Sequence, residues 1–140
     1  MLRQTLLLTS AALLALPAAA APPQGAPGWS GVWRNPSNSV RIRAQPCGRG
    51  RDAGMCGTVI WASPKARADV AARGGRLIGA QLFRDFYRED DGLWHGEVYV
   101  PDLDKTFSGT LTQRGRDTLV GEGCLFAGLG CRTQTWTRVK

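Results

Sequence analysis

Chemistry in this chain would have to come from very few side chains. His95 is the only histidine, and it falls on the polar side of the alternating run Trp94-His95-Gly96-Glu97-Val98-Tyr99-Val100. An imidazole acting as general base needs a nucleophile and an orienting acid within hydrogen-bond reach. No Ser-His-acid or Cys-His arrangement follows from the spacing here. Asp85, Glu89, Asp90 and Asp91 crowd one short stretch, and two carboxylates in a cleft could act as acid and base on a sugar. Their position around a hairpin tip makes solvated charge the simpler reading. The expectation is a non-enzyme without a cofactor.

Four cysteines form two local pairs, Cys47 with Cys56 and Cys124 with Cys131. Four cysteines allow three connectivities. The two local bonds are favoured because each pair brackets a glycine-rich connection that can fold back on itself. A structural zinc site usually spaces its ligands by two to four residues; neither pair does so, and no metal is expected.

The residues best placed to hold a small molecule lie near the end of the chain. Arg132, Gln134, Trp136 and Arg138 share one face of an alternating segment, with Thr133, Thr135, Thr137 and Val139 on the other. Alternating threonines suit an outer sheet face, which turns Trp136 and Gln134 inward. An inward polar group needs a partner: backbone, an acid, water or a ligand. Five tryptophans are present. Trp33 and Trp136 suit the seam where the first strand meets the last, and Trp61 and Trp94 are candidates for a cavity wall. The candidate ligand-binding set is thus Trp61, Trp94, Arg132, Gln134 and Trp136.

Elements of period two must position these groups. Val40, Ile42 and Ala44 alternate with Arg41 and Arg43, a half-buried strand. Gly57 to Ala62 is a more continuous apolar run, again strand-like, and Trp94 to Val100, Thr106 to Thr112, Thr118 to Leu125 and Arg132 to Val139 continue the series. Asp91-Gly92 predicts a two-residue hairpin turn with positive φ at both positions. Leu82, Phe83, Phe86 and Tyr87 also suit a helix, but the following hairpin favours a twisted strand. One short helix is expected from Ser63 as cap, Pro64 at the first position and an alanine-rich run to Arg73, stopped by Gly74-Gly75. Val70 is its only sizeable apolar residue, which places it over an edge or a mouth. With Gly31 to Arg34 as the first, the count reaches about eight strands. The fold class is all-β: an antiparallel meander closed into a barrel, without exposed edges.

Residues 1–21 read as a secretory signal peptide: Arg3, an apolar stretch from Leu6 to Leu16, and small residues through Ala21. The apolar run is too short to span a bilayer. Residues 22–28 read as a flexible lead-in and 29–140 as a single domain. A periplasmic or secreted address agrees with disulfides. The net charge of +7 is spread along strands rather than clustered, which argues against a nucleic-acid partner. Arginines on the polar strand faces argue against a lipid-facing barrel, so no integral membrane segment is expected after the leader is removed.

Three stretches, Gly31-Val32-Trp33-Arg34-Asn35-Pro36, Cys56-Gly57 with Val59-Ile60-Trp61, and Gly123-Cys124 with Cys131-Arg132-Thr133-Gln134-Thr135-Trp136-Thr137-Arg138, resemble the exported bacterial family DUF2147, a domain of unknown function. The resemblance covers the mature chain and implies a lipocalin-like barrel. It also implies that Arg138 packs over the Trp33 ring. The chain departs from the family pattern at Asp104, where glycine is usual; aspartate tolerates the left-handed backbone such a turn needs. The resemblance brings no established activity.

A barrel of this size can enclose one small molecule. The favoured function is therefore binding of a small, partly apolar, amphiphilic ligand with a polar or acidic head. The alternative is a protein-binding barrel, such as an inhibitor of a periplasmic or host enzyme; a basic lysozyme-type target would suit its charge poorly. A hydrolase of envelope glycan ranks third.

Overall fold

The computed structural model describes residues 27–48, 54–125 and 129–140; the expected leader, and the expected lead-in as far as residue 26, lie outside them. Eight strands run in chain order: β1 (Gly31–Arg34), β2 (Val40–Cys47), β3 (Gly54–Ala62), β4 (Gln81–Arg88), β5 (Trp94–Val100), β6 (Lys105–Arg114), β7 (Thr118–Cys124) and β8 (Arg132–Arg138). Each pairs antiparallel with the next, and β8 returns to β1, so the sheet is a closed barrel. The seam is short, with Trp33 opposite Arg138 and Arg34 opposite Thr137.

Helix α1 (Pro64–Ala71) lies between β3 and β4. The Ser63 hydroxyl accepts from the Ala66 N–H at 3.1 Å, Pro64 supplies a preset φ, and Gly74 ends the segment at φ +78°. Only Val70 of the helix is buried. Its neighbours Lys65, Ala66 and Asp69 lie at the barrel's open end.

Two irregularities account for apolar patterns that strict alternation does not explain. Phe83 and Phe86 are both buried although three positions apart. Asp85 sits between them at φ +49°, where the β4–β5 register shifts. This bulge inserts one residue and returns Phe86 to the inner face, which is why the segment has helix-like spacing. A second shift between Arg41 and Ile42 against β3 buries Val59 and Ala62 and leaves Ile60 and Trp61 exposed.

The β4–β5 connection corrects the expected two-residue turn. Only Gly92 has positive φ, at +80°. The Glu89 N–H donates to the Leu93 carbonyl at 3.0 Å, and the Gly92 N–H donates to the Glu89 carbonyl at 3.0 Å. The loop is thus three residues, a turn followed by a left-handed glycine. The Asp91 carboxylate accepts from the Leu93 N–H at 2.8 Å, a side-chain turn that holds Asp91 out of the left-handed region. Asp104 does adopt the left-handed backbone, at φ +48°.

The core fills one half of the barrel. Trp33, Ile42, Met55, Phe86, Leu111 and Leu119 are fully buried there. Gly96 makes room for them: a Cβ at this position would lie 2.7 Å from the Phe86 ring and 2.8 Å from the Arg84 carbonyl. Residues 27–30 close this end from below. The Gly28 carbonyl accepts from Gln113 and Arg138, and the Trp29 ring meets Trp94 edge-on at 5.5 Å between centroids. The disulfides are Cys47–Cys56 and Cys124–Cys131, the two local pairs.

Candidate functional site

Above the packed half, the barrel interior opens into a cavity of about 970 Å³. Its floor is Phe83 and Trp136, whose rings meet edge-to-face at 5.4 Å. Alternation from the buried Trp136 puts Gln134 and Arg132 on the same inner face, one and two steps toward the mouth. Across the β7–β8 ladder they face Gly121 and Gly123, which have no side chains to fill the space. Val40, Val98, Val100 and Phe107 supply apolar wall on the other strands. The mouth is framed by Ser37 and Ser39, by Lys65 and Asp69 of α1, by the turn at Asp102 and Leu103, and by Leu125 and Gly130.

Among the described residues, the side chains of Arg132 and Gln134 make no hydrogen bond or ion pair to the protein, and both are exposed. On the outer face of the same strand Thr133 donates to Glu122 at 3.3 Å. An apolar chamber with a few convergent polar groups is the usual form of a small-molecule site.

The candidates from sequence divide between three places. Arg132, Gln134 and Trp136 come together in the cavity. Trp61 does not line it: the β3 bulge puts its ring outside, beneath the Arg41 guanidinium at 4.7 Å. Trp94 faces inward but at the sealed end, against Trp29, and does not line the cavity either. Trp33 and Arg138 form the seam, with the guanidinium 4.2 Å from the ring centroid. Arg138 also donates to the carbonyls of Ser30, Gly28 and Arg116. Gly31 sits here at φ +136°, a backbone conformation that other residues rarely adopt, with an Arg138 nitrogen 2.6 Å from where a Cβ would stand. Phe83, Val98, Val100 and Phe107 were not singled out from sequence as cavity residues. The alternation that placed Trp136 inward applies equally to Val98 and Val100, and it was the available signal.

His95 lies in the β4–β5 hairpin region, at the opposite end from the cavity. Its Nε2 is 2.7 Å from the Asp91 carboxylate and 4.0 Å from Glu89. The Leu93 N–H, and then His95, hold the Asp91 carboxyl below its ordinary value. A lowered carboxyl pKa adds stability above the unfolded value, and that contribution is lost as pH falls through the folded one. Asp91→Ala should therefore lower the thermal midpoint near neutral pH. The gap to the parent should close as pH falls below about 4, and a gap that persists at low pH would refute this role.

Among the described residues, no helix is long and apolar enough to cross a membrane. Neither the search of curated proteins nor that of solved structures gave a match. Residues 31–138, from the strand bearing Trp33 to the arginine stacked on it, match the bacterial family described as uncharacterized protein conserved in bacteria, DUF2147, and the chain belongs to that family.

Proposed function

We propose that the open half of the barrel binds a small, partly apolar ligand, with Arg132 and Gln134 meeting a polar or acidic head group. The observation that carries this reading is the cavity of about 970 Å³ in which those two side chains lack protein partners. Its volume lies near the upper end of the roughly 300–1,000 Å³ typical of small-molecule sites. Phe83, Phe107, Val98 and Val100 take the apolar role that Trp61 and Trp94 do not fill. A carboxylate suits Arg132 through a charge-assisted hydrogen bond. The reading is non-catalytic: the imidazole lies at the opposite end from the chamber, and the carboxylates at the mouth, Asp69, Asp102 and Glu122, are solvent-exposed. Two disulfides support an exported, oxidising setting.

Trp136 is the only tryptophan lining the cavity among the described residues, so occupancy should quench its fluorescence. Titration with long-chain fatty acids should be saturable, and Trp136→Phe should remove the signal. Arg132→Ala should weaken acids by roughly three- to tenfold, as expected for a solvent-screened charge-assisted contact. Alcohols of equal chain length should change less. No saturable signal across a broad amphiphile panel would reject the reading and leave the protein-binding alternative ahead.

A further inference from the structure

Strand β8 is open along one side over its first half. Its ladder to β7 runs from Arg132 opposite Gly123 to Thr137 opposite Thr118. Its ladder to β1 goes no further up than Arg34 opposite Thr137. Among the described residues, no strand pairs with β8 on that side from Arg132 to Trp136. The Arg138 N–H donates to the Asp117 carbonyl, on the β7 side, and the Val139 N–H to the Val32 carbonyl, on the β1 side, each at 2.9 Å. Backbone groups alternate in direction along a strand, so Thr137, Thr135 and Thr133 aim theirs toward β1. Carried two residues further, the register would set Pro36 opposite Thr135. Proline has no N–H to give, and the chain turns away there, with the Asn38 N–H donating to the Asn35 carbonyl at 2.9 Å. The turn satisfies itself: the Asn35 side-chain oxygen accepts from the Ser39 and Val40 N–H groups at 2.8 and 3.0 Å. The backbone edge at Thr133 and Thr135 is left facing a gap, and residues 132–135 are exposed on both faces of the strand.

The cavity lies directly behind this gap. Gln134, between the two threonines, is on the inner face with Arg132 and lines the chamber. In an antiparallel pair, residues directly opposite each other share a face. A strand laid beside β8 would therefore turn the residue opposite Gln134 inward, toward the apolar wall of Phe83, Val98 and Phe107.

We propose that an extended peptide fills this gap by strand addition, running in the direction of β1 and antiparallel to β8. Its residues opposite Thr133 and Thr135 exchange backbone hydrogen bonds with them, and the residue between carries an apolar side chain into the cavity. Main-chain bonds at an unpaired edge, with a pocket for an alternate side chain, are how peptides are recognised in this mode. The gap continues the line of β1, so it takes a single strand rather than a second barrel. The position opposite Arg132 calls for an acidic residue, because that guanidinium has no acid partner among the described residues. This complementarity is local to Arg132. The mouth as a whole carries more acids than bases, with Asp69, Asp102 and Glu122 against Lys65 and Arg132, so the rest of the peptide should be neutral. The inference names the ligand class of the binding reading above, on which it rests for the inward side chain.

The probe is the end-blocked peptide Ala-Thr-Leu-Thr-Glu, whose leucine meets Gln134 and whose glutamate meets Arg132. Amide hydrogen exchange read by NMR should find Thr133 and Thr135 fast in the free protein and slowed by the peptide, with Thr137 protected throughout. Methylating both threonine nitrogens of the peptide removes its donors without touching the protein. Binding should then weaken at least about tenfold, as expected for two lost hydrogen bonds. Thr135→Pro, whose missing N–H faces the gap and not β7, should also abolish binding while the thermal midpoint changes little. Equal affinity for the methylated peptide, or Thr133 and Thr135 amides already slow in the free monomer, would overturn the inference. Protection of those amides by concentration-dependent dimerisation would overturn it in favour of a second copy. Fatty-acid titration of the same protein reads the cavity separately: a saturable signal there without peptide binding would remove this inference and leave the cavity reading standing.

Discussion

Trp33→Ala is expected to lower the free energy of unfolding by about 3–5 kcal/mol, the range for losing a large buried aromatic. Trp33 is fully buried. Its ring carries the Arg138 guanidinium at 4.2 Å, and its indole N–H donates to the Trp29 carbonyl at 3.0 Å. Alanine would leave a cavity, an unmet carbonyl and an arginine without its platform. The β1–β8 ladder is short, with only two residue pairs, so the Trp33 ring and the Arg138 side chain stacked on it carry much of the seam. A domain of this size has roughly 5–15 kcal/mol in total, so the loss would be a large fraction of it. Denaturant unfolding followed by circular dichroism reads the effect. Trp33→Phe should lose less, because most of the packing survives and chiefly the indole donor goes. An unfolding curve for Trp33→Ala that overlays the parent would show that the seam does not carry the barrel's closure.

Replacing all four cysteines by alanine should cost about 5 kcal/mol, close to the effect at Trp33 but through a different state. The bonds join residues separated by nine and seven positions. Each loop restricts the unfolded chain by roughly 2–3 kcal/mol in the loop-entropy account. The two loops share no strand pair, so their effects should add to within a few tenths. Alanine is preferable to serine because Cys56 is buried, where an unpaired hydroxyl would add a cost of its own. The measurement is the unfolding free energy of the two double variants and the quadruple variant. If the quadruple variant unfolded at the parent's midpoint, the disulfides would not be stabilising elements.

The sequence by itself determined the class of the fold. Alternation along Val40 to Ala44, Trp94 to Val100 and Arg132 to Val139 selects strands because side chains on an extended backbone point alternately to opposite faces. Ser63-Pro64 and Gly74 mark the helix because they satisfy its ends locally. The proximity of Cys47 to Cys56, and of Cys124 to Cys131, favoured the pairing found, since short loops close readily. These are near-neighbour effects, and near neighbours are what a sequence displays.

Tertiary structure decided which face each irregular residue takes and how much of the interior is filled. Trp61 stands outside and Phe86 inside because single inserted residues in β3 and β4 reset the phase of their strands. Such bulges answer to the registers of the strands alongside. Periodicity says that Trp136, Gln134 and Arg132 face inward; it does not say what stands opposite. Phe86 crosses onto Gly96 in the sealed half, while Gly123 leaves space across from Arg132. The cavity is thus a property of facing pairs brought together by barrel closure, and volume left between residues remote in the chain has no local signature.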